Sequence, residues 1–527
     1  MLVLLPLVFL LLSPIVILSL HLARIRPAYF WLVSSLGVIP AWLLVLFTRV
    51  RLPLSFSLLS WEPAEHFPFT PSLVIDEFSW PFASAVTSLA LASLLVCLVY
   101  QVGATRHSMQ WTHWASLMTC SGFSLLAVIS GDLIALLLAW TALDFIEIIL
   151  WISSIKNMQT RERLIITFSA RLAGTFVAIW AVEAALAAGY SLSFYLLKPQ
   201  TAALLLVAVS LRLGVVPPNP SISTIQLQNH SLGILWHLAP IAANLVVIVR
   251  ASTFVLPLSS PMFLAGLALV SLVGSIAWVL SADENLGRNY WVITISGLAL
   301  AMGERALPYA SLGWGLALLL SGALLMLAFA HIKALIPILF LGALSITSMP
   351  FSPTWSGLHL YSSPFHWTNI LFLAAQSFLL VGYLRHAMRK REAFASPERW
   401  IRIIYPTGLL FLVGMIFLLG ASGNLPGNPL QTPGLLESWP GFVVFTVGGI
   451  WFFIFRRSES ITFSRLERYR PFLSIAWVYR FFWGFYQALR RIFFAISAIL
   501  EGQAGVLWAF LIFLLLVSVF SQVSFGG

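Results

Sequence analysis

The stretch LLLVAVSLRLGVVPPNP (204–220) joins an apolar helical run, one arginine and two adjacent prolines. A second apolar run of the same kind, FLGALSITSMPFSP (340–353), comes later in the chain. Proline lacks the backbone N–H that a continuing helix needs, so each run is expected to be interrupted. Paired interrupted helices are the best sequence pointer to an ion site near the middle of a membrane. The expected helix breaks lie at four prolines: Pro217, Pro218, Pro350 and Pro353.

The rest of the chain has the composition of a membrane protein. Hydrophobic residues make up 60% of the 527 residues, charged residues 9%, and the mean hydropathy is +0.95. Soluble domains carry about 25% charged residues. Apolar runs long enough to cross a bilayer recur from end to end, and backbone groups in lipid must be bonded within helices. We predict an all-α polytopic membrane protein with about sixteen transmembrane helices. The expected spans are 2–21, 29–48, 79–100, 112–130, 132–154, 163–188, 200–216, 231–250, 261–281, 289–303, 310–330, 335–349, 367–387, 404–421, 440–455 and 504–522.

The charge pattern indicates an orientation and excludes some functions. The net charge is +11, but the basic residues lie between spans, so nucleic acid is not an expected partner. Most of the 29 Lys and Arg fall on alternate loops, which are therefore expected to be cytoplasmic. Both termini should then face away from the cytoplasm, with the protein integral to the cell (inner) membrane. The two cysteines, Cys97 and Cys120, lie in apolar runs and form no metal spacing. No nucleotide, metal or other cofactor motif is present, so the chain is expected to have no catalytic site or cofactor of its own.

The segment 456–503 is basic at first and then interleaves aromatic residues with arginine. This pattern predicts an amphipathic helix that lies along the membrane surface or on a neighbouring subunit. The alternative is an ordinary basic connector between two spans.

Several motifs carry a resemblance to a known family. Arg212 precedes Pro217 by five residues and His237 by 25, and Arg250 ends the next span. The stretches FSARLAGTF (168–176), FLGALSITSMPFSPTWSG (340–357) and VIDEFSW (74–80) add to the match. Together they resemble the antiporter-like family: the proton-channel subunits of respiratory complex I, of Mrp-type antiporters and of membrane-bound hydrogenases.

The resemblance implies a fold and a function. The family fold has two inverted five-helix repeats, each with one discontinuous helix. It implies four regions here: N-terminal spans (1–111), a first antiporter-like half (112–250), a second half (251–403) and C-terminal spans with the amphipathic helix (404–527). The implied function is proton translocation within a complex I-like or related redox-driven complex. The implied partners of the chain are other membrane subunits and lipids. The transported ion implied by the resemblance is a proton or sodium.

The departures from the family pattern keep two alternatives open. The family glutamate of span five falls at Thr141, and Thr175 replaces an aspartate. The family lysine of span eleven falls at Gly313–Trp314, and the one after the second break falls at Gly357. A non-conducting scaffold and a subunit of a cation/proton antiporter are therefore the alternative functions.

The charged residues that remain within the spans define the candidate ion path, because charge is costly in hydrocarbon. Asp144 lies almost one helical turn after Thr141, so it is the expected partner of Arg212, as a functional or a purely structural ion pair. Glu147 adds a second carboxylate that is expected to point elsewhere. Arginine stays charged in proteins, so Arg212 acts only as a fixed charge, whereas His237 titrates near neutral pH. For His237 the alternative is a histidine with a satisfied structural hydrogen bond.

Four further residues complete the candidate set. Arg171 and Glu183 lie on span six, too far apart along the helix to pair directly. His331 and Lys333 lie between two spans and are expected at the cytoplasmic edge. Since few titratable groups remain in the second half, we expect that half to be mostly dry.

Overall fold

The structure is a computed structural model in which two compact units are defined, Met1–Ser474 and Ile475–Gly527. It describes residues 2–25, 28–58, 70–102, 111–154, 158–218, 230–254, 261–282, 284–328, 330–331, 335–361, 366–389, 392–393, 399–422, 435–457, 476–501 and 507–515.

The first unit is built from helices. In chain order, α1 to α15 are Leu5–Leu22, Ala28–Thr48, Ser79–Val102, Trp111–Val128, Leu133–Ser154, Met158–Ala187, Pro199–Arg212, His230–Ser252, Pro261–Leu280, Glu284–Glu304, Pro308–Leu327, Leu335–Leu344, Trp367–Ala387, Arg399–Ser422 and Trp439–Arg457. Short 3-10 helices are Arg49–Arg51, Trp355–Tyr361 and Leu435–Ser438. Strands β1 (Leu54–Ser57) and β2 (Ser72–Ile75) pair antiparallel, and β3 (Ala330–His331) and β4 (Glu392–Ala393) pair parallel.

The prediction of an all-α polytopic membrane protein is confirmed. Among the described residues, 10 helices are long and apolar enough to cross a membrane, and three shorter helices are also apolar. The first fifteen predicted spans fall on α1 to α15. The last predicted span, 504–522, is helical over 507–515, and its remaining residues lie outside the described part.

Two short helices end where the sequence predicts interruptions. Helix α7 has 14 residues and α12 has 10, whereas a full span needs about 20. They hold the fourth place in the helix sets α4–α8 and α9–α13. After α7 the chain turns through Gly214 with φ of +66°, and after α12 through Ser348 and Phe351 with φ of +55° and +67°. Both helices therefore end inside the bundle, before Pro217 and Pro350 respectively.

The longest helix among the described residues of the second unit is α16 (Ala476–Glu501). Its large apolar side chains at Phe485, Leu489, Ile492 and Ile496 recur every three or four residues and are exposed. The exposed arginines at 480 and 491 lie on the opposite face by helical phase. The described part of the segment is thus an amphipathic helix, and what it lies on stays a prediction.

Candidate functional site

Arg212 is the last residue of α7 and is buried where that helix ends. Its Nη1 donates to Asp144 Oδ2 at 2.8 Å, and its Nη2 donates to Asp144 Oδ1 at 3.0 Å. A two-bond guanidinium–carboxylate contact is stronger and more directional than a single ion pair. The predicted contact between spans five and seven is confirmed.

Neutral groups on three helices hold the same guanidinium. Nε donates to Asn244 Oδ1 on α8 at 3.1 Å, and Nη1 also donates to Thr175 Oγ1 on α6. The Arg212 Cζ lies 4.3 Å from the ring centroid of Trp140 on α5, at cation–π distance. The positive charge is therefore fixed in place by α5, α6 and α8 together.

Gly174 lets α6 approach α7 closely enough for this arrangement. A Cβ at Gly174 would lie 2.5 Å from the carbonyl oxygen of Ala208 and 2.6 Å from Cγ of Arg212. Any larger residue would force the two helices apart and draw Arg212 away from Thr175. The FSARLAGTF stretch thus contributes a glycine for packing as well as the charge of Arg171.

Arg171 joins a second carboxylate to the pair. Its Nη1 donates to Glu147 Oε2 and lies 3.8 Å from Asp144 Oδ1. Glu147 does not bond Arg212, in keeping with its helical phase, but Arg171 links it to the cluster. Asp144, Glu147, Arg171 and Arg212 form one group of two carboxylates and two guanidinium groups, which we call the ionic cluster; all but the partly exposed Arg171 are buried.

His237 lies on α8 beside the ionic cluster and is buried. A cavity of about 20 Å³ has Arg171, Arg212, His237 and Asn244 in its walls. A space of that size holds a water molecule when polar groups line it. Within the described part of the chain, His237 Nε2 has no hydrogen-bond partner. The described structure thus offers no satisfied structural bond at that nitrogen.

The other predicted residues lie apart from the ionic cluster. Glu183 is exposed on α6. His331 belongs to β3, and Lys333 lies outside the described residues. Pro217 and Pro218 follow the end of α7, and Pro350 and Pro353 follow the end of α12.

Sequence reasoning missed a second ionic contact, at the end of α8. Arg250 Nη2 donates to Asp76 Oδ2 at 3.0 Å, and Arg250 Nη1 donates to the carbonyl of Ser130. Burial by itself would raise the pKa of Asp76, but Arg250 and the hydrogen bonds from Ser79 outweigh it and lower that pKa. Burial and the Asp76 charge raise the pKa of the nearby Tyr195 to about 12. The acidic residue before α3 was visible in the sequence, but its partner 174 residues away was not.

The second half contains more polar groups than expected. Arg288 is buried on α10, and Tyr361 Oη donates to Gln376 Oε1 at 2.7 Å. At the positions where the resemblance expects lysines, Trp314 packs directly against Gly357. The expectation that few titratable groups remain in the second half therefore overlooked Arg288, and the dryness of that half stays a prediction. Among the described residues, no group of three His, Cys, Asp or Glu is placed to hold a metal ion.

These features define an integral, multi-pass, all-α membrane protein in which a buried ionic cluster lies at an interrupted helix. No protein-family model matches the sequence, and no curated protein matches it either. Solved structures do match the fold. A chain of the Mrp complex from Dietzia sp. DQ12-45-1b has a TM-score of 0.72 at 14% identity, over 99% of this chain and 62% of that one. The present chain thus spans less than two thirds of that relative.

Two further structures agree with the first. A chain of the membrane-bound sulfane sulfur reductase, an archaeal respiratory membrane complex, has a TM-score of 0.67 at 15% identity, over 98% of this chain and 99% of that one. A chain of respiratory complex I from Thermus thermophilus with bound aureothin has a TM-score of 0.56 at 17% identity, over 79% and 97%. The chain therefore has the fold of the antiporter-like subunit family that its motifs resemble.

Proposed function

We propose that this chain is a proton-translocating, antiporter-like membrane subunit of a multisubunit, redox-driven complex. The observation that carries the proposal is the Arg212–Asp144 pair, buried at the end of an interrupted helix and adjoining a polar cavity. Buried charge in a membrane protein is costly and marks an ion pathway by default. The protein is proposed to lie in the cell (inner) membrane with both termini away from the cytoplasm.

In this proposal, the ionic cluster alternates between two arrangements, of which the structure contains one. Asp144 bonds Arg212 at 2.8 and 3.0 Å, while Arg171 lies 3.8 Å from the same carboxylate. A small movement would transfer Asp144 from one guanidinium to the other. Each position leaves a different positive charge less neutralised, so the local field at the cavity changes without any arginine losing its proton.

His237 is the group in this half that is proposed to carry the proton. It lines the cavity with Arg212, and imidazole is the side chain that gains and loses a proton near neutral pH. When Arg212 is neutralised by Asp144, a proton on His237 is tolerated. When Asp144 turns to Arg171, repulsion from Arg212 drives that proton onward through water.

A non-conducting scaffold is the second candidate function. One specific observation favours it: Trp314 and Gly357 pack against each other where the resemblance expects titratable lysines. The subunit of a cation/proton antiporter is the third, and it differs from the first in exchanging a cation for protons rather than using a redox reaction. Sodium would have to approach carboxylates that two arginines already engage.

Proton movement in membrane vesicles carrying the assembled complex tests the proposal. His237→Ala is expected to abolish driven acidification, measured with a pH-sensitive dye, while the subunits stay assembled. His21→Ala is the matched control, because it removes an exposed imidazole at the end of α1. Unchanged acidification in a fully assembled His237→Ala complex would contradict proton translocation by this route and favour the scaffold.

A further inference from the structure

Three tryptophans occupy the interior of the second half. Trp278 on α9, Trp291 on α10 and Trp314 on α11 are fully buried. The ring centroids of Trp278 and Trp291 lie 5.5 Å apart, and those of Trp291 and Tyr383 lie 5.7 Å apart. His386 packs on Trp278 at 4.4 Å. Large rings from α9, α10 and α13 therefore meet in the interior of the second half.

Glycines on neighbouring helices receive the Trp278 ring. A Cβ at Gly287 on α10 would lie 2.5 Å from Cε3 of Trp278, and a Cβ at Gly382 on α13 would lie 2.5 Å from its Nε1. No side chain larger than hydrogen fits at either glycine unless the ring moves. The indole fills the space between three helices.

The same contact recurs for the other two rings. A Cβ at Gly322 on α11 would lie 2.5 Å from Nε1 of Trp291, and a Cβ at Gly357 would lie 2.5 Å from Nε1 of Trp314. Trp291 Nε1 also donates to the carbonyl of Leu318 at 3.1 Å, which fixes that ring in place. Each tryptophan is thus packed against a glycine of a neighbouring element.

The interior of the first half is packed differently, around a cavity with polar walls. There, a cavity is lined by Arg171, Arg212, His237 and Asn244, whose polar atoms can hold water. In the second half, the spaces around Trp278, Trp291 and Trp314 are filled by indole packed against glycine. Water enters polar cavities and leaves apolar packing dry.

We propose that Trp278, Trp291 and Trp314 form a barrier that closes the second antiporter-like half to water. The barrier is inferred from the packing of the tryptophan rings alone. Its consequence, that ions cross only through the first half, rests on the proposed function above. The polar groups of the second half, such as Gln376, then serve packing around the break after α12.

Thiol labelling tests the barrier without measuring transport. The full chain, with Cys97→Ala and Cys120→Ala, carries one reporter cysteine at a time and stays in its native membrane. Ser321→Cys reports on the second half, beside Gly322, and Ile241→Cys reports on the first-half cavity. With a small charged methanethiosulfonate reagent, Ser321→Cys should react at least about tenfold more slowly than Ile241→Cys.

Opening the barrier should remove that difference in labelling rate. Trp291→Ala or Trp314→Ala should raise the labelling rate of Ser321→Cys at least about tenfold, because the lost indole leaves space that water can enter. Trp180→Ala is the matched control, since that indole is exposed on α6, and it should change nothing. The rate at Ile241→Cys in each variant reports whether the bundle is still folded.

The outcomes separate the two proposals. Rapid labelling of Ser321→Cys with all three tryptophans in place would overturn the barrier, whatever the transport result. Slow labelling there, in a complex whose vesicles move no protons, would support the barrier and contradict the proposed function.

Discussion

The ion pair of Asp144 and Arg212 should be strongly coupled, so neutralising Asp144 alone should be worse than neutralising both partners. Asp144→Asn leaves Arg212 buried with only neutral acceptors on Asn244 and Thr175. An unpaired buried charge of this kind costs about 3–5 kcal/mol of unfolding free energy. Arg212→Gln should cost less, about 1.5–3 kcal/mol, because Asp144 loses only its charge-assisted hydrogen bonds to Arg212. Asp144 still has a positive charge beside it, since Arg171 lies 3.8 Å away.

The double variant Asp144→Asn/Arg212→Gln should be more stable than Asp144→Asn alone. The double variant should lose less unfolding free energy than the sum of the two single variants, by about 2–3 kcal/mol. That difference is the interaction energy, and it lies in the upper part of the range for residues in one network. The assay is the unfolding free energy in mixed micelles of a mild and a denaturing detergent. Glu284→Gln and Arg389→Gln form the control cycle, because that pair is 3.6 Å apart with Arg389 half-exposed, and coupling there should be about 0–1 kcal/mol. Additive losses from Asp144→Asn and Arg212→Gln would refute the pairing argument.

Three further outcomes are expected. Gly174→Ala should destabilise the protein by about 1–3 kcal/mol through overlap with Ala208 and Arg212, whereas Gly266→Ala, which meets open space, should be nearly neutral in the same unfolding assay. Because the pKa of Asp76 is lowered below 3.8 in the folded protein, its carboxylate stabilises the fold above that value and loses this contribution as the pH falls through the folded pKa. Asp76→Asn should therefore flatten the acid side of the stability profile, and an unchanged profile would contradict this reading. Purification in a mild detergent should bring other membrane subunits with the chain, and a homogeneous, active monomer would contradict the need for partners.

The spans and the central pair were predictable for physical reasons. An apolar run must be about 20 residues long to cross a bilayer, so helix positions follow from hydropathy alone. The Asp144–Arg212 contact came from the resemblance together with helical phase: the resemblance expects a glutamate at Thr141, and Asp144 lies almost one turn later on nearly the same face. Proline chemistry similarly placed the ends of α7 and α12.

The contacts that the sequence did not reveal depend on how helices pack. Glu147 reaches the cluster because Arg171 on α6 extends to it, which no phase argument on α5 alone could show. The Arg250–Asp76 bond joins residues that are 174 positions apart. The seating of Trp314 on Gly357 likewise depends on the approach of two elements in space. The position of a glycine in the sequence does not indicate which aromatic ring will pack against it.

The most direct test of the account is a structure of the intact assembly at a resolution that shows internal waters. The account predicts a continuous file of ordered waters through the first half, passing Arg212 and His237 and reaching both membrane surfaces. It also predicts none across Trp291 and Trp314 in the second half. A first half in which His237 is sealed from water on both sides, or an unbroken file through the second half, would contradict it.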